Sequence, residues 1–357
     1  MNPKTLVYRL VASGLPVLAK FRPQVAADSV AIIMVHGVHD ESEGLGRALS
    51  TSSVSLKSFE ANILALSRVY SFVSMDDVVA MLTGNAAWRT RCLTLTFDDS
   101  LKSHTSTVAP KLVRWGIPAT FYISTEVIET QRPYWWMRLE YAVSRLDGQT
   151  VTLEIPERGR FVLEASRSAQ VLRELKTVLR GAVSAECERA INMVESQLGV
   201  SPADLRNAYP HSRVMTWKDV KQLKELGMTI GSHTVTHPNL TLLSGGELRL
   251  ELESSRNMIE QQCQTSCRHL CYPYGAHSDS VCEAARAAGY ASAVTTVSPG
   301  WNQKGGDVFR LRRFAMSGEP YKLCFLLSGL QGLSNTRRGR GARYSRQQLI
   351  TTPGFGP

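Results

Sequence analysis

The sequence predicts an α/β fold in which parallel strands are covered by helices, with an inserted α+β subdomain interrupting the series. Three observations carry this. Short runs rich in Val, Ile, Thr and Phe alternate with helix-period runs along most of the 357 residues. A hydrophobic content of 43% suits a chain with a sizeable core. The alternation stops between Tyr134 and about Pro210, then resumes. Repeated β-α order implies parallel strands, and such sheets and barrels bind ligands beyond the carboxyl ends of their strands.

The elements follow in order. VAIIMV (30–35) reads as a first strand, followed by a helical period through Phe59, Ile63 and Leu66 and a short capped helix in SMDDVVAMLTG. CLTLTF (92–97) is a strand, and a helical stretch to Trp115-Gly116 leads to a further strand, IPATFYIS. Within about 132–210, PYWWMRLEYAVSRL is helical and aromatic, TVTLEIPERGRFVLEA reads as a hairpin, and two polar helices follow. Trp135 and Trp136 either line a sugar-binding groove or anchor this insertion to the core. The β-α series then returns: helix TWKDVKQLKELG, strand MTIGSH, long amphipathic helix SGGELRLELESSRNMIEQQ, strand LCYPYG, helix SDSVCEAARAAG and strand YASAVTT.

The formal charge of +10 is concentrated partly in NTRRGRGARYSRQQ, an acid-free, Gly-rich C-terminal stretch that reads as a disordered basic tail. It lacks the interleaved aromatics of a base-stacking platform, so no specific nucleic-acid partner is expected. At the other end, Leu6, Leu10, Leu15 and Leu18 with Lys4, Arg9, Lys20 and Arg22 form a basic amphipathic segment. It rests either on a membrane surface or on the body of the protein. Arg9 breaks its apolar run and no small-residue cleavage site follows, which argues against a signal peptide. No other stretch approaches bilayer length, so the expected location is cytoplasmic, with peripheral membrane contact through this segment as the alternative to its packing on the body. Cys263, Cys267 and Cys271 fall at four-residue steps rather than knuckle spacing, and the seven cysteines are expected to be buried, reduced thiols.

The chemistry is written in two stretches. LTLTFDDS ends a strand in two adjacent carboxylates, Asp98 and Asp99, whose mutual repulsion needs a positive partner if they are buried. GSHTVTHPNL follows another strand with His233 and His237 four apart, a spacing that one helical turn or a Pro238-stiffened turn brings to one side. Two imidazoles and one carboxylate make a three-ligand site with open positions, the pattern of a catalytic divalent metal. One acid of the pair then binds the metal, and the other takes a proton from metal-activated water.

TFDDS, HTVTHP and YPYG, in this order, resemble the first three motifs of the polysaccharide deacetylase family, also called the NodB-homology domain or carbohydrate esterase family four. The layout from AIIMVHGVHD to FRLRRFAM is similar to members of exopolysaccharide and capsule pathways, over roughly residues 29 to 318. The resemblance implies a distorted (β/α) barrel of about seven strands, extending over 29–334 between the N-terminal segment 1–28 and the tail 335–357. It implies Asp98 as catalytic base and Asp99, His233 and His237 as ligands of a divalent metal, zinc or another first-row ion. Tyr274 would help bind the oxyanion through its backbone N–H, and Pro273, Tyr274, Trp135 and Trp136 would contact substrate.

Three positions depart from the family pattern. Ser100 replaces the Gly that usually follows the acid pair. The Arg that precedes the third motif is absent, and Arg313 of LRRFAM is expected to supply its charge to the catalytic Asp. No His follows His277, so His36, at the end of the first strand, is expected to be the general acid, with His39 as the competitor. The implied reaction removes an N-acetyl group from an amino sugar of a polysaccharide or glycan precursor, free or lipid-linked. The alternatives are deformylation or O-deacetylation by the same machinery, or a degenerate carbohydrate-binding protein without turnover.

Overall fold

The structure, a computed structural model, describes residues 6–11, 13–14, 29–40, 53–146, 148, 150–155, 159–164, 168–182, 184–209, 213–298, 300–319 and 321–327. The basic tail and most of the N-terminal segment lie outside them. Among the described residues the strands are β1 (Ser29–Val35), β2 (Gly37–His39), β3 (Ser53–Ser55), β4 (Ser71–Phe72), β5 (Cys92–Phe97), β6 (Ala119–Ile123), β7 (Thr150–Ile155), β8 (Gly159–Glu164), β9 (Thr229–Ser232), β10 (His269–Cys271), β11 (Ser292–Val294), β12 (Trp301–Gln303) and β13 (Phe314–Ala315).

The main sheet runs β11-β10-β9-β6-β5-β1-β12, with β4 added on β5 and β13 on β1. Neighbours from β11 to β1 pair in parallel, and β12 is antiparallel to β1. One short segment links the two ends of this parallel run. Leu311 bridges to Val294 of β11, and Phe314 pairs with Ile33 of β1. The sheet therefore curls into the distorted (β/α) barrel, closed by residues 311–315.

Strand alternation sorts the side chains. Ala31, Ile33 and Val35 of β1 join Leu93, Leu95 and Phe97 of β5 in the large core shared with the surrounding helices. Val30 and Ile32 face a second cluster containing Tyr122, Cys271, Val294 and Leu311. Thr94 and Thr96, the hydroxyl half of LTLTF, are fully buried. The hydroxyl of Thr96 donates to the Ile33 carbonyl at 2.8 Å.

Helix boundaries follow local chemistry. Met75–Thr83 begins at a Ser74–Asp77 capping box and ends at left-handed Gly84. Gly245–Cys263 begins at a Ser244–Glu247 capping box. LCYPYG is shorter as a strand than the sequence suggests. β10 ends at Cys271, because Pro273 cannot donate to a ladder and opens a tight 3₁₀ turn, Pro273–Gly275. HTVTHP forms no helix, so of the two ways to bring the histidines together the protein uses the turn.

The insertion has its own core. Helix Trp135–Ser144, the antiparallel hairpin β7–β8 and helices Ser168–Arg180 and Ser184–Leu198 enclose a separate apolar cluster that includes Leu139, Leu175 and Ile191. Of the N-terminal segment, Leu6, Val7 and Leu10 are exposed, while the Tyr8 ring lies 5.4 Å from that of Phe325. No helix among the described residues is long and apolar enough to cross a membrane.

Candidate active site

The parallel strands end on one rim, and each contributes the residue that follows it. β1 is followed by His36, β5 by Asp98 and Asp99, β9 by His233, β10 by Tyr272 and β11 by Thr295. Register fixes the neighbours: Val35 pairs with Phe97, so His36 emerges beside Asp98. His36 Nε2 lies 4.0 Å from Asp98 Oδ2 and 3.9 Å from Asp99 Oδ2. A five-residue π-helical turn, His104–Val108, follows the acid pair. It brings buried His104 against the His36 carbonyl, 2.8 Å from its Nε2, which must donate to that oxygen.

The closing segment supplies the cation that the acid pair requires. Arg313 is fully buried and grips Asp98 with two parallel bonds, Nη1 to Oδ1 at 2.9 Å and Nη2 to Oδ2 at 2.8 Å. Its Nε donates to the Thr295 carbonyl at 2.7 Å and Nη1 also donates to Thr96 Oγ1 at 3.1 Å. Gly300 makes room for this segment, since a Cβ there would lie 2.3 Å from the Arg313 carbonyl carbon. Burial would raise the Asp98 carboxyl, but the charge and hydrogen bonds of Arg313, with smaller help from His233 and His36, hold it below the usual range.

Asp99 faces the histidines. Its Oδ1 lies 3.5 Å from His233 Nε2 and 3.7 Å from His237 Nε2, and the two Nε2 atoms are 3.1 Å apart. Donors about 2.0–2.1 Å from a tetrahedral zinc stand roughly 3.3 Å from one another, so this triangle has the size of a ligand set. The tautomers agree. His233 Nδ1 is 2.8 Å from the Cys271 carbonyl and must donate to it, which leaves Nε2 as the atom that carries either a proton or a metal at the triangle. Two facing Nε2 atoms compete for one proton, and a cation between them removes the conflict. Burial and the His233 charge push His237 down to about 3. Burial opposes ionisation of Asp99 too, but its His233 hydrogen bond and the surrounding imidazoles hold it well below the carboxylate range.

Backbone strain is concentrated here. Nine described non-glycine residues have positive φ, and five of them, Asp99, Ser100, Thr234, His237 and Tyr274, lie in the three motifs. Left-handed backbone costs a β-carbon residue about 1 kcal/mol or more, so the surroundings must hold these turns. Ser100, at φ 52°, adopts the conformation that favours glycine, and its buried Oγ accepts from the Ser124 N–H at 2.9 Å. The 233–237 turn is clamped by Glu251, whose carboxylate accepts from the Val235 and Thr236 N–H groups and the Thr236 hydroxyl.

The acid pair, His36, His233, His237 and Arg313 line one cavity of about 460 Å³, together with Trp136, Tyr272, Tyr274, Thr296 and three cations of the insertion, Arg173, Lys176 and Arg180. The two tryptophans separate. The Trp136 ring lies 4.8 Å from the His237 ring in the cavity wall, whereas Trp135 packs on the insertion core and donates to the Tyr274 hydroxyl at 3.0 Å. Pro273 is buried and outside the lining, and His39 turns away to Ser53 Oγ at 2.9 Å. All seven cysteines are buried and none forms a disulfide. Cys271 also stands with Asp98 and His233 in a second metal-sized cluster, but Asp98 is already held by Arg313. Glu251, His104 and the insertion cations were not singled out from the sequence. A lone acid on an amphipathic helix, a lone His and a basic helix face all read as ordinary solvated or packed residues.

Comparisons with known proteins agree with this geometry. Residues 86–293 match the polysaccharide deacetylase family. The chain is 29% identical over 90 residues to a chitooligosaccharide deacetylase of Sinorhizobium fredii, covering 25% of this chain and 42% of that one. It is 26% identical over 107 residues to the Bacillus subtilis protein YxkH, covering 30% and 38%. The matches thus span about two fifths of these relatives' lengths. The fold is similar to that of Streptococcus pyogenes deacetylase PplD, with TM-score 0.55 and 18% identity over 84% of this chain and 98% of that one. IcaB from Ammonifex degensii gives TM-score 0.53 and 16% identity over 84% and 97%. With a family match spanning more than half its length and the acid and histidine motifs meeting on one rim, the chain belongs to the polysaccharide deacetylase family.

Proposed function

We propose that this protein hydrolyses the N-acetyl group of an amino sugar in a saccharide, with Asp98 as general base beside a divalent metal held by Asp99, His233 and His237. The observation that carries the reading is the division of labour in the acid pair. Asp99 turns to the two imidazoles, and its neighbour is held apart by Arg313. A divalent cation at the triangle, zinc or a similar first-row ion, would supply Lewis acidity toward water and the acyl oxygen.

The chain's own residues do the rest. Asp98 is kept ionised at neutral pH, so it is ready to take the proton of the attacking water. Arg313 aims the carboxylate by gripping both of its oxygens. Tyr274, held left-handed at φ 59°, offers its backbone N–H to the oxyanion that develops on the acetyl carbonyl. His36, part-exposed beside the acid pair, donates a proton to the leaving amine. Trp136 and Tyr274 of the cavity lining contact the sugar. The products are acetate and a sugar amine.

The test compares two nearly isosteric changes. Asp98→Asn should keep bound metal and lose about 10²–10⁴-fold in acetate release from N-acetylated oligosaccharides. Asp99→Asn should lose metal first, with activity partly restored by excess metal. Metal content and rate are measured side by side, with chelator-treated wild type as reference. Retained activity after complete metal removal would overturn the reading.

A further inference from the structure

The cavity holds more positive charge than the hydrolysis of a neutral amide requires. Arg173, Lys176 and Arg180 stand at helical spacing on Ser168–Arg180 and all reach its lining. The adjacent stripe of this helix, Leu172, Leu175 and Leu179, is buried in the insertion core, each leucine one position before a cation, so packing of the leucines fixes where the basic stripe lies. Charge is sorted by sign along the helix: Glu174 accepts from Gln170 at 2.8 Å and lies outside the lining. Lys176 is paired with Glu140. Among the described residues no carboxylate pairs with Arg173 or Arg180, and the Arg180 guanidinium lies 5.8 Å from the Tyr274 ring centroid. The acids of the cavity floor are already engaged, Asp98 by Arg313 and Asp99 by the imidazoles. Both guanidiniums are exposed and without an ion-pair partner among the described residues, although Arg180 also borders a second cavity lined by Glu126 and Glu188.

We propose that the substrate carries an oxyanion, a phosphate ester or a sugar carboxylate, next to the sugar that is deacylated, and that Arg173 and Arg180 of the insertion bind it. This rests on the reading of the cavity as a saccharide hydrolase site. A guanidinium fork matches both anions through two N–H donors, and positive charge clustered on one helix beside the cavity attracts them. Lys176 is neutralised by Glu140 and contributes less. A neutral glycan would leave both arginines without a partner and gain nothing from their placement.

The experiment uses three matched N-acetylglucosamine disaccharides: one neutral, one with a reducing-end phosphate, one with a hexuronate neighbour. kcat/KM for acetate release is measured at low and high salt for wild type and for R173Q/R180Q. One anionic substrate should exceed the neutral one by about tenfold, the preference falling with salt and collapsing to near unity in the double variant. Whichever arm shows it identifies the anion. Equal rates on all three substrates, or a preference that survives in the variant, would overturn the inference. If none of the three releases acetate, the hydrolase reading fails on these sugars, and binding decides the inference separately. N-acetylglucosamine 1-phosphate and glucuronate are titrated against N-acetylglucosamine by calorimetry on chelator-treated protein, which removes anion binding to metal. Tighter binding of an anion, lost in R173Q/R180Q, supports the site; equal affinities refute it.

Discussion

Two arginines, Arg138 and Arg313, are the largest fully buried side chains among the described residues, and they serve opposite ends. Arg138 lies in the insertion between helices. Its Nε and Nη2 bind Glu195 at 2.8 and 2.6 Å, Nη1 binds Glu188, and Nη2 also reaches Asn192. Every one of these partners is on a single packed helix, Ser184–Leu198, so the cluster pins one helix to another. Arg313 meets one carboxylate, and its remaining donors go to Thr96, the Thr295 carbonyl and Cys271 Sγ, on three different strands or strand ends. Both arrangements satisfy the guanidinium, as burial demands. Arg138 shares half-exposed Glu188 with Arg132, so two guanidiniums balance the two carboxylates within the insertion. The single partner of Arg313 opens onto the cavity instead, so the pair leaves a carboxylate that is charged, aimed and accessible. The same residue type fixes packing in one place and poises an acid in the other.

The strongest way to break this comparison is to remove each cation. Arg313→Met should lower turnover by about 10²-fold or more, because Asp98 loses its aim and burial pushes its carboxyl back up. It should also cost about 3–5 kcal/mol of stability, the penalty of an unpaired buried charge. The pH dependence has a definite sign. Asp98 is depressed in the folded protein, so its contribution is present above the ordinary carboxylate value near about 4 and lost as pH falls through the folded value. The stability gap between Arg313→Met and wild type should therefore narrow in acid, as denaturant melts at descending pH would show. Adding Asp98→Asn to Arg313→Met should recover stability without activity.

Arg138→Met should cost a similar 3–5 kcal/mol, roughly, but locally. Limited proteolysis should cleave first within the insertion, while acetate release below the melting transition stays within a few-fold of wild type. If its turnover falls as far as that of Arg313→Met, the two arginines do not divide packing from chemistry.

A smaller effect sharpens the barrel side. Burial lowers His104 to about 4, against an unfolded value near about 6.5. The unfolded chain binds more protons between these values, so this residue makes stability fall as pH drops from about 6.5 to about 4, by roughly 3 kcal/mol in full. His104→Gln should flatten the thermal midpoint over that window, and an unchanged slope would show that His104 does not titrate as its burial requires. The smallest expected effect belongs to Glu251→Gln. Losing the charged acceptor beneath the 233–237 turn should cost about 1 kcal/mol and weaken metal affinity by about tenfold, read by competition with a chromogenic chelator.

The sequence by itself determined the β-α series, the break between Tyr134 and about Pro210, and the grouping of Asp98, Asp99, His233 and His237 at strand ends. These are local facts. Alternation in LTLTF encodes two faces of one strand, and a chain of parallel strands must deliver its following residues to a common rim. Tertiary structure decided what depends on closure and on packing between distant segments. That Arg313 reaches Asp98 follows from residues 311–315 bridging the two ends of the sheet, a contact across 215 positions that no local pattern contains. The separation of Trp135 from Trp136 depends on which side of their helix meets the insertion core. The basic face of Ser168–Arg180 reads in sequence as an ordinary solvated stripe, since amphipathic periodicity says which side of a helix is polar but not what that side faces. Only the docking of the insertion on the barrel rim turns it toward the acids.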